Sequence, residues 1–286
     1  MKRVRTGASL WAVGAVAVLT LLTLTVATYA WFSSNREVET SRVTARTGSD
    51  ELELQISSQG GDAFRSMQDA SGAYHEVALR AQENPLLPVS TADLAGFVYA
   101  PFTVDGQAEN FLPATDETRY YHETIYLRAV GTGMPEGTRI ALYLDNPGEP
   151  LVQDTDGTLL TAARLGLTFD GANPVIFRLS DVDEGAGNSS PGGTPLEAGK
   201  VLTLQGGQVV SAEDPAIPLE DRQITDAGAA GRTPLTYLEL NRICAVDLYF
   251  YLEGCDPDCL VERVGLDQAV FQLAFFGVVA NEEVGP

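Results

Sequence analysis

Three carboxylates fall within the six residues Glu253-Gly254-Cys255-Asp256-Pro257-Asp258, and carboxylate oxygens gathered in a tight turn are the donors that calcium prefers. Glu253, Asp256 and Asp258 are therefore the candidate metal ligands, with calcium as the candidate cofactor. Asp154-Thr155-Asp156-Gly157 and Asp181-Val182-Asp183-Glu184-Gly185 repeat the Asp-x-Asp element. None of the three has the five spaced ligands and closing Glu of a complete calcium loop, and Asp in a turn also bonds its own backbone. Two cysteines bracket the first turn. A Cys255–Cys259 disulfide would close a small ring and stiffen the aspartates inside it; pairing of Cys244 with either is the competing arrangement, since three cysteines cannot all pair within one chain.

Other chemistry is sparse. A zinc hydrolase helix needs two histidines four residues apart with a Glu beside the first. Here His75-Glu76 is followed by Leu79 and His122-Glu123 by Tyr126, and the chain has no further histidine. A Gly-x-Ser-x-Gly elbow and a phosphate-binding Walker loop are also missing. The motifs thus argue against an enzyme. Tyr249 and Tyr251 share the polar parity of one strand, as an aromatic binding stripe or, the preferred reading, as rings covered by a loop.

The elements that must carry these residues are strands. Apolar residues alternate with polar ones at Leu52, Leu54, Ile56; at Ile125, Leu127, Ala129; at Ile140, Leu142, Leu144; and at Leu165, Leu167, Phe169. The same period recurs at Val246, Leu248, Phe250, Leu252 and at Phe271, Leu273, Phe275. With 28 Gly and 15 Pro as punctuation, the pattern predicts an all-β fold: a two-sheet antiparallel sandwich, jelly-roll or immunoglobulin-like. Ser90-Thr91-Ala92-Asp93-Leu94 reads as a capped helical turn. Residues 181–200 and 211–234 lack periodicity and are expected to be long loops.

The first 32 residues set the destination. Lys2, Arg3 and Arg5 precede an uncharged run from Ala8 to Phe32, which as a helix of about 37 Å would cross a bilayer core of roughly 30 Å. The basic end should stay in the cytoplasm, so residues 33–286 form an exported domain on the far side. Thr28-Tyr29-Ala30 also suits cleavage between Ala30 and Trp31, so residues 1–32 are either a signal peptide or a signal anchor. That segment holds three cations and no acids, leaving 15 Lys and Arg against 39 Asp and Glu, a net charge of about −24 on the exported part. Such a charge repels nucleic acid, which is not an expected partner.

Residues 27–57, ATYAWFSSNREVETSRVTARTGSDELELQIS, resemble the signal junction and first strands of the TasA and camelysin families of exported Gram-positive proteins. Residues 245–276, AVDLYFYLEGCDPDCLVERVGLDQAVFQLAFF, resemble a late strand, acidic turn and final strand of uncharacterised exported proteins with the same kind of N-terminus. The resemblance implies a TasA-like jelly roll, cutting by a dedicated signal peptidase, and self-assembly into a homo-oligomer or fibre by lending an N-terminal strand to a neighbour. The expected donor is the segment from Arg36 to Ala45, although Val38 and Val43 have opposite parity and would face opposite sides. The function expected is a structural or interaction protein of the bacterial surface or biofilm matrix. The alternatives are an anchored module for a carbohydrate or protein ligand and, less favoured, a hydrolase.

Overall fold

A computed structural model of the chain describes residues 42–47, 52–60, 64–66, 77–80, 86–99, 111–115, 118–145, 152–154, 161–180, 199–224, 229–256, 259 and 269–280. The expected membrane helix, the Ala30–Trp31 junction, His75, Asp258 and most of the 181–200 loop lie outside these residues. All the described residues belong to one compact unit, Thr40–Pro286. Among them no helix is long and apolar enough to cross a membrane.

The unit is built of strands. In chain order they are β1 (Arg42–Thr47), β2 (Leu52–Ser57), β3 (Arg65–Ser66), β4 (Val77–Ala78), β5 (Val98–Tyr99), β6 (Leu112–Pro113), β7 (Tyr121–Gly131), β8 (Arg139–Leu144) and β9 (Val152–Asp154). They continue as β10 (Ala163–Phe169), β11 (Ala172–Arg178), β12 (Lys200–Gln205), β13 (Gln208–Glu213), β14 (Ile217–Pro218), β15 (Thr236–Glu239), β16 (Ile243–Leu252) and β17 (Ala269–Val279). One sheet has the order β14-β11-β10-β16-β7-β2-β3. The second has the order β15-β8-β17-β1-β4, with β9 also paired to β17. Two hairpin-sized sheets, β12-β13 and β5-β6, complete the set.

The alternating residues do what their parity requires. Leu52, Leu54, Ile56, Ile125, Leu127, Leu165, Leu167, Val246 and Leu248 from the seven-stranded sheet join Ile140, Leu142, Leu144, Leu273 and Phe275 from the other in one buried cluster. Burial of that size is the main stabilising term of the unit.

Two pairings depart from the antiparallel expectation. β1 runs parallel to β17, with Arg42 opposite Gln272 and Thr47 opposite Gly277, and β11 runs parallel to β14. Neither pair is joined by a tight turn, so no hairpin dictates direction.

The opposite faces are also covered. Ala141 and Tyr143, on the polar parity of β8, pack with Ile224 and Phe276 in a separate cluster. The 211–234 stretch is therefore not simply a loop. Ser211–Glu213 finish β13, Ile217–Pro218 form β14, Leu219–Asp221 make a 3-10 turn, and Ile224 is buried. Its scattered apolar residues lack a period because each packs from a different short element; Ile217 and Leu219 lie against the main core.

The expected helical turn after Ser90 keeps its capping chemistry without the helix. Thr91 Oγ1 accepts from the amides of Asp93 and Leu94 (3.3 and 3.1 Å), and Asp93 Oδ1 accepts from Ala95 and Gly96 (3.0 and 2.8 Å). Leu94 then turns left-handed at φ 59°, which no helix can continue. The segment instead lies over β10: a Cβ on Gly166 would come within 2.5 Å of Leu94 Cδ2. At Gly96 a Cβ would meet the Leu204 carbonyl oxygen at 2.6 Å, a backbone atom that cannot swing away. Gly96→Ala should therefore destabilise the unit by about 1–3 kcal/mol, read from the urea midpoint, with a smaller loss for Gly166→Ala, whose neighbour is a flexible side chain.

Candidate functional site

The acidic turn starts where β16 ends, and backbone hydrogen bonds fix it first. The Glu253 amide donates to Ala162 O (2.8 Å) and the Gly254 amide to Val89 O (2.7 Å), which ties the turn to the start of β10 and to the 86–99 segment. The Glu253 side chain points inward and is buried. Its Oε1 accepts from the Cys255 amide (3.0 Å), and the Ser90 hydroxyl bonds the same carboxylate. Ser90 Oγ accepts in turn from the Leu202 amide (3.0 Å) and lies 3.3 Å from Cys255 Sγ. One carboxylate thus connects β16, the 86–99 segment and β12.

Beside it is a buried cation. Arg164 on β10 is 4% exposed, and its Nη2 donates to Asp256 Oδ2 at 2.7 Å, with Asp214 Oδ2 at 4.0 Å. Nη1 donates to Ala163 O at 3.3 Å, and the buried Nε has no hydrogen-bond partner among the described residues. Burial opposes the guanidinium charge, but Asp256, Glu253 and Asp214 together outweigh it and leave the Arg164 pKa raised. For Glu253 burial dominates over Ser90 and Arg164, pushing its pKa up to about 7.

These contacts engage two of the three expected calcium ligands, Glu253 and Asp256, within the protein itself. The Asp256 carboxylate already faces Arg164, and a guanidinium at ligand distance repels a dication from the same place. Glu253 is drawn to Ser90 and its own turn, and Asp258 lies outside the described residues. Among the described residues no group of three His, Cys, Asp or Glu is arranged to hold a metal ion.

The cysteines also depart from expectation. All three are free thiols. Cys255 packs with Val98 and Leu202 in a small outer cluster, whereas Cys259 packs against the main core, so the two side chains serve different apolar environments instead of closing a ring. Burial, then Glu253, raises the Cys255 pKa well above its ordinary value; burial, then Glu253 and Asp256, raises Cys259 to about 12. Neutral thiols are poor nucleophiles and poor metal ligands.

Tyr249 and Tyr251 are covered, as the preferred reading had it. Tyr251 is buried with Val89, Leu94, Phe97, Tyr120 and Ile176, and Tyr249 packs against that cluster. Phe97 stacks on Tyr120 at 4.2 Å and meets Tyr251 edge-on at 5.4 Å. His122 lies on the outer face of β7, stacked on Tyr249 at 4.5 Å, with its Nε2 3.6 Å from Asp247 Oδ1. The hydroxyls of Thr124 and Thr168 donate to the two oxygens of Asp247 (2.6 and 2.9 Å).

Sequence reasoning missed Arg164, Ser90 and Asp214. Arg164 sits on the polar parity of its strand, where solvent was the natural assignment. The one available signal was the excess of carboxylates around residues 213–214 and 253–258, which need a cation if any of them is buried.

A second junction lies on the other sheet, between the first and last described strands. All six residues of β1 are in parallel register with Gln272–Gly277 of β17, and on its other side β1 pairs, among the described residues, with the two-residue β4 alone, through Arg42–Ala78 and Val43–Val77. β1 therefore fills a slot near the sheet margin. No family model, curated protein or solved structure matches the chain.

Proposed function

We propose that the chain is an exported structural or interaction protein of the bacterial surface or biofilm matrix, and that its copies assemble by exchanging their first strand. The observation that carries this reading is the unbroken parallel pairing of β1 with β17. A strand joined by backbone hydrogen bonds, with no hairpin to its partner, is replaceable by the same strand of another copy, which restores each bond in trans. The neighbouring β4 is only two residues long, so little chain must be displaced when β1 leaves. The uncharged run from Ala8 to Phe32 supplies the export route, and the resemblance to TasA-like jelly rolls agrees with both. Residues 1–32 then act as a switch: retained, they tether the unit; cut after Ala30, they release the end of the chain that leads into β1.

Electron microscopy of the chain purified with Trp31 at its N-terminus tests this directly. Filaments or rings are expected, and persistent monomers at every concentration would sink the proposal. Thr44→Pro should reduce assembly at least about tenfold, because a mid-strand proline removes an N–H from the β1 ladder in either copy. Mass spectrometry of the cell-derived chain should find the terminus at Trp31.

A further inference from the structure

At the opposite end of β16 from the acidic turn, an open cavity of about 250 Å³ lies between β15, the β10–β11 hairpin and the first residues of β16. We infer that this cavity binds a single ring of a neutral carbohydrate, independently of how the chain assembles. Its volume is below the roughly 300–1,000 Å³ of drug-sized sites, so it suits one sugar ring better than a nucleotide or extended cofactor.

The lining has the two components that sugars require. The first is an aromatic surface for the pyranose C–H bonds. Tyr237 is 45% exposed, one of three large hydrophobic side chains so open among the described residues, and Ile243, another, lies at the same cavity. The Arg139 guanidinium sits 4.1 Å from the Tyr237 ring centroid and holds the ring in place.

The second component is a set of planar polar groups for vicinal hydroxyls. Asp170, Asn173, Glu239, Arg242 and Thr236 line the same cavity as Tyr237. Asp170 is already oriented, since its Oδ1 accepts from the Ala245 amide at 2.9 Å, and both Asp170 and Asn173 are fixed in left-handed turn geometry at φ 53° and 52°. Arg242 and Glu239 pair at 2.7 Å, a combination that presents donors and acceptors side by side.

Charge selects within the class. The cavity has two carboxylates and one guanidinium on a chain of net charge −21, which disfavours polyanionic glycans. Covalent capture does not enter, because Cys244 at the cavity wall is a buried thiol raised to about 12, by burial first and Asp170 second. Binding is by stacking and hydrogen bonds alone.

The experiment is calorimetric titration of the purified full chain with cellohexaose, laminarihexaose and maltohexaose, and with polygalacturonate as the anionic comparison. Saturable binding of at least one neutral hexaose is expected, with a Kd below about 1 mM. Tyr237→Ala should weaken it at least about tenfold at unchanged Tm, Tyr237→Phe should retain it, and Leu112→Ser, at an exposed residue outside the cavity, should leave it intact. No binding of any neutral hexaose at 10 mM, about tenfold above that limit, would overturn the inference, as would binding that survives Tyr237→Ala. Preference for an extended peptide, pairing along the edge of β15, would overturn it too.

Discussion

Arg164→Met is expected to lower the stability of the unit by about 3–5 kcal/mol, the usual cost of leaving buried carboxylates without their cation. The substitution keeps much of the side-chain volume, so a cavity is not the main loss. What goes is the 2.7 Å bond to Asp256 and the attraction on Glu253 and Asp214, all near one buried point. For a unit of this size the Tm should fall by roughly 10 °C. A double-mutant cycle separates the pair from its surroundings. Asp256→Leu alone leaves the guanidinium with Glu253 and Asp214 and should cost less than Arg164→Met, while the double variant should recover part of the loss, because an apolar pair of similar volume is often as stable as a buried ion pair. Additive losses in the double variant would show that Arg164 and Asp256 act separately, contrary to their geometry.

Period-two alternation was enough to place the inner face of both sheets. Leu165, Leu167 and Phe169 read as core and are core, and so do Val246, Leu248, Phe250 and Leu252. That signal reports only whether alternate residues differ, and it assigns the other parity to solvent by default. Arg164, Gly166 and Thr168 were misplaced for this reason: all three are buried, Gly166 under Leu94 of the 86–99 segment, which is some 70 residues away and has no period of its own. The acidic turn shows the same limit in its chemistry. A cluster of carboxylates correctly announced a need for positive charge, but the sequence offered a cation from solution, whereas the fold supplies one from 92 residues upstream. Local backbone chemistry behaved likewise at Thr91 and Asp93, whose capping bonds form as expected while Leu94 at φ 59° ends the turn they would have started. Strand direction was the remaining blind spot: β17 was readable as a strand and β1 only overlaps the expected donor segment Arg36–Ala45, whose parity was irregular, while their parallel pairing is settled by tertiary register that no short window contains.

Glu253 should make the unit less stable as pH rises through neutrality, the reverse of the usual carboxylate. Its folded pKa is raised from 4.5 to about 7 by burial, so the folded state binds the proton more tightly than the unfolded chain. The stabilisation this proton provides is complete below about pH 4.5 and is lost as pH climbs through 7, a difference of about 3 kcal/mol for a shift of this size. The charged groups around it set that balance: Arg164 from β10 favours ionisation, whereas Asp214 after β13 opposes it, and burial outweighs both. Glu253→Gln keeps an acceptor for the Cys255 amide and removes the titration. Its urea midpoint should therefore fall less than that of the native chain between pH 5 and pH 8, with most of the divergence accumulating between about pH 5 and 7, where the folded state holds the proton and the unfolded chain has lost it. Arg164→Met should shift the divergence to higher pH, since the attraction that lowers the Glu253 pKa is gone. If Gln at this position leaves the pH dependence unchanged, the latch joining β16, the 86–99 segment and β12 is not governed by this proton, and the ion pair at Arg164 must hold those elements alone.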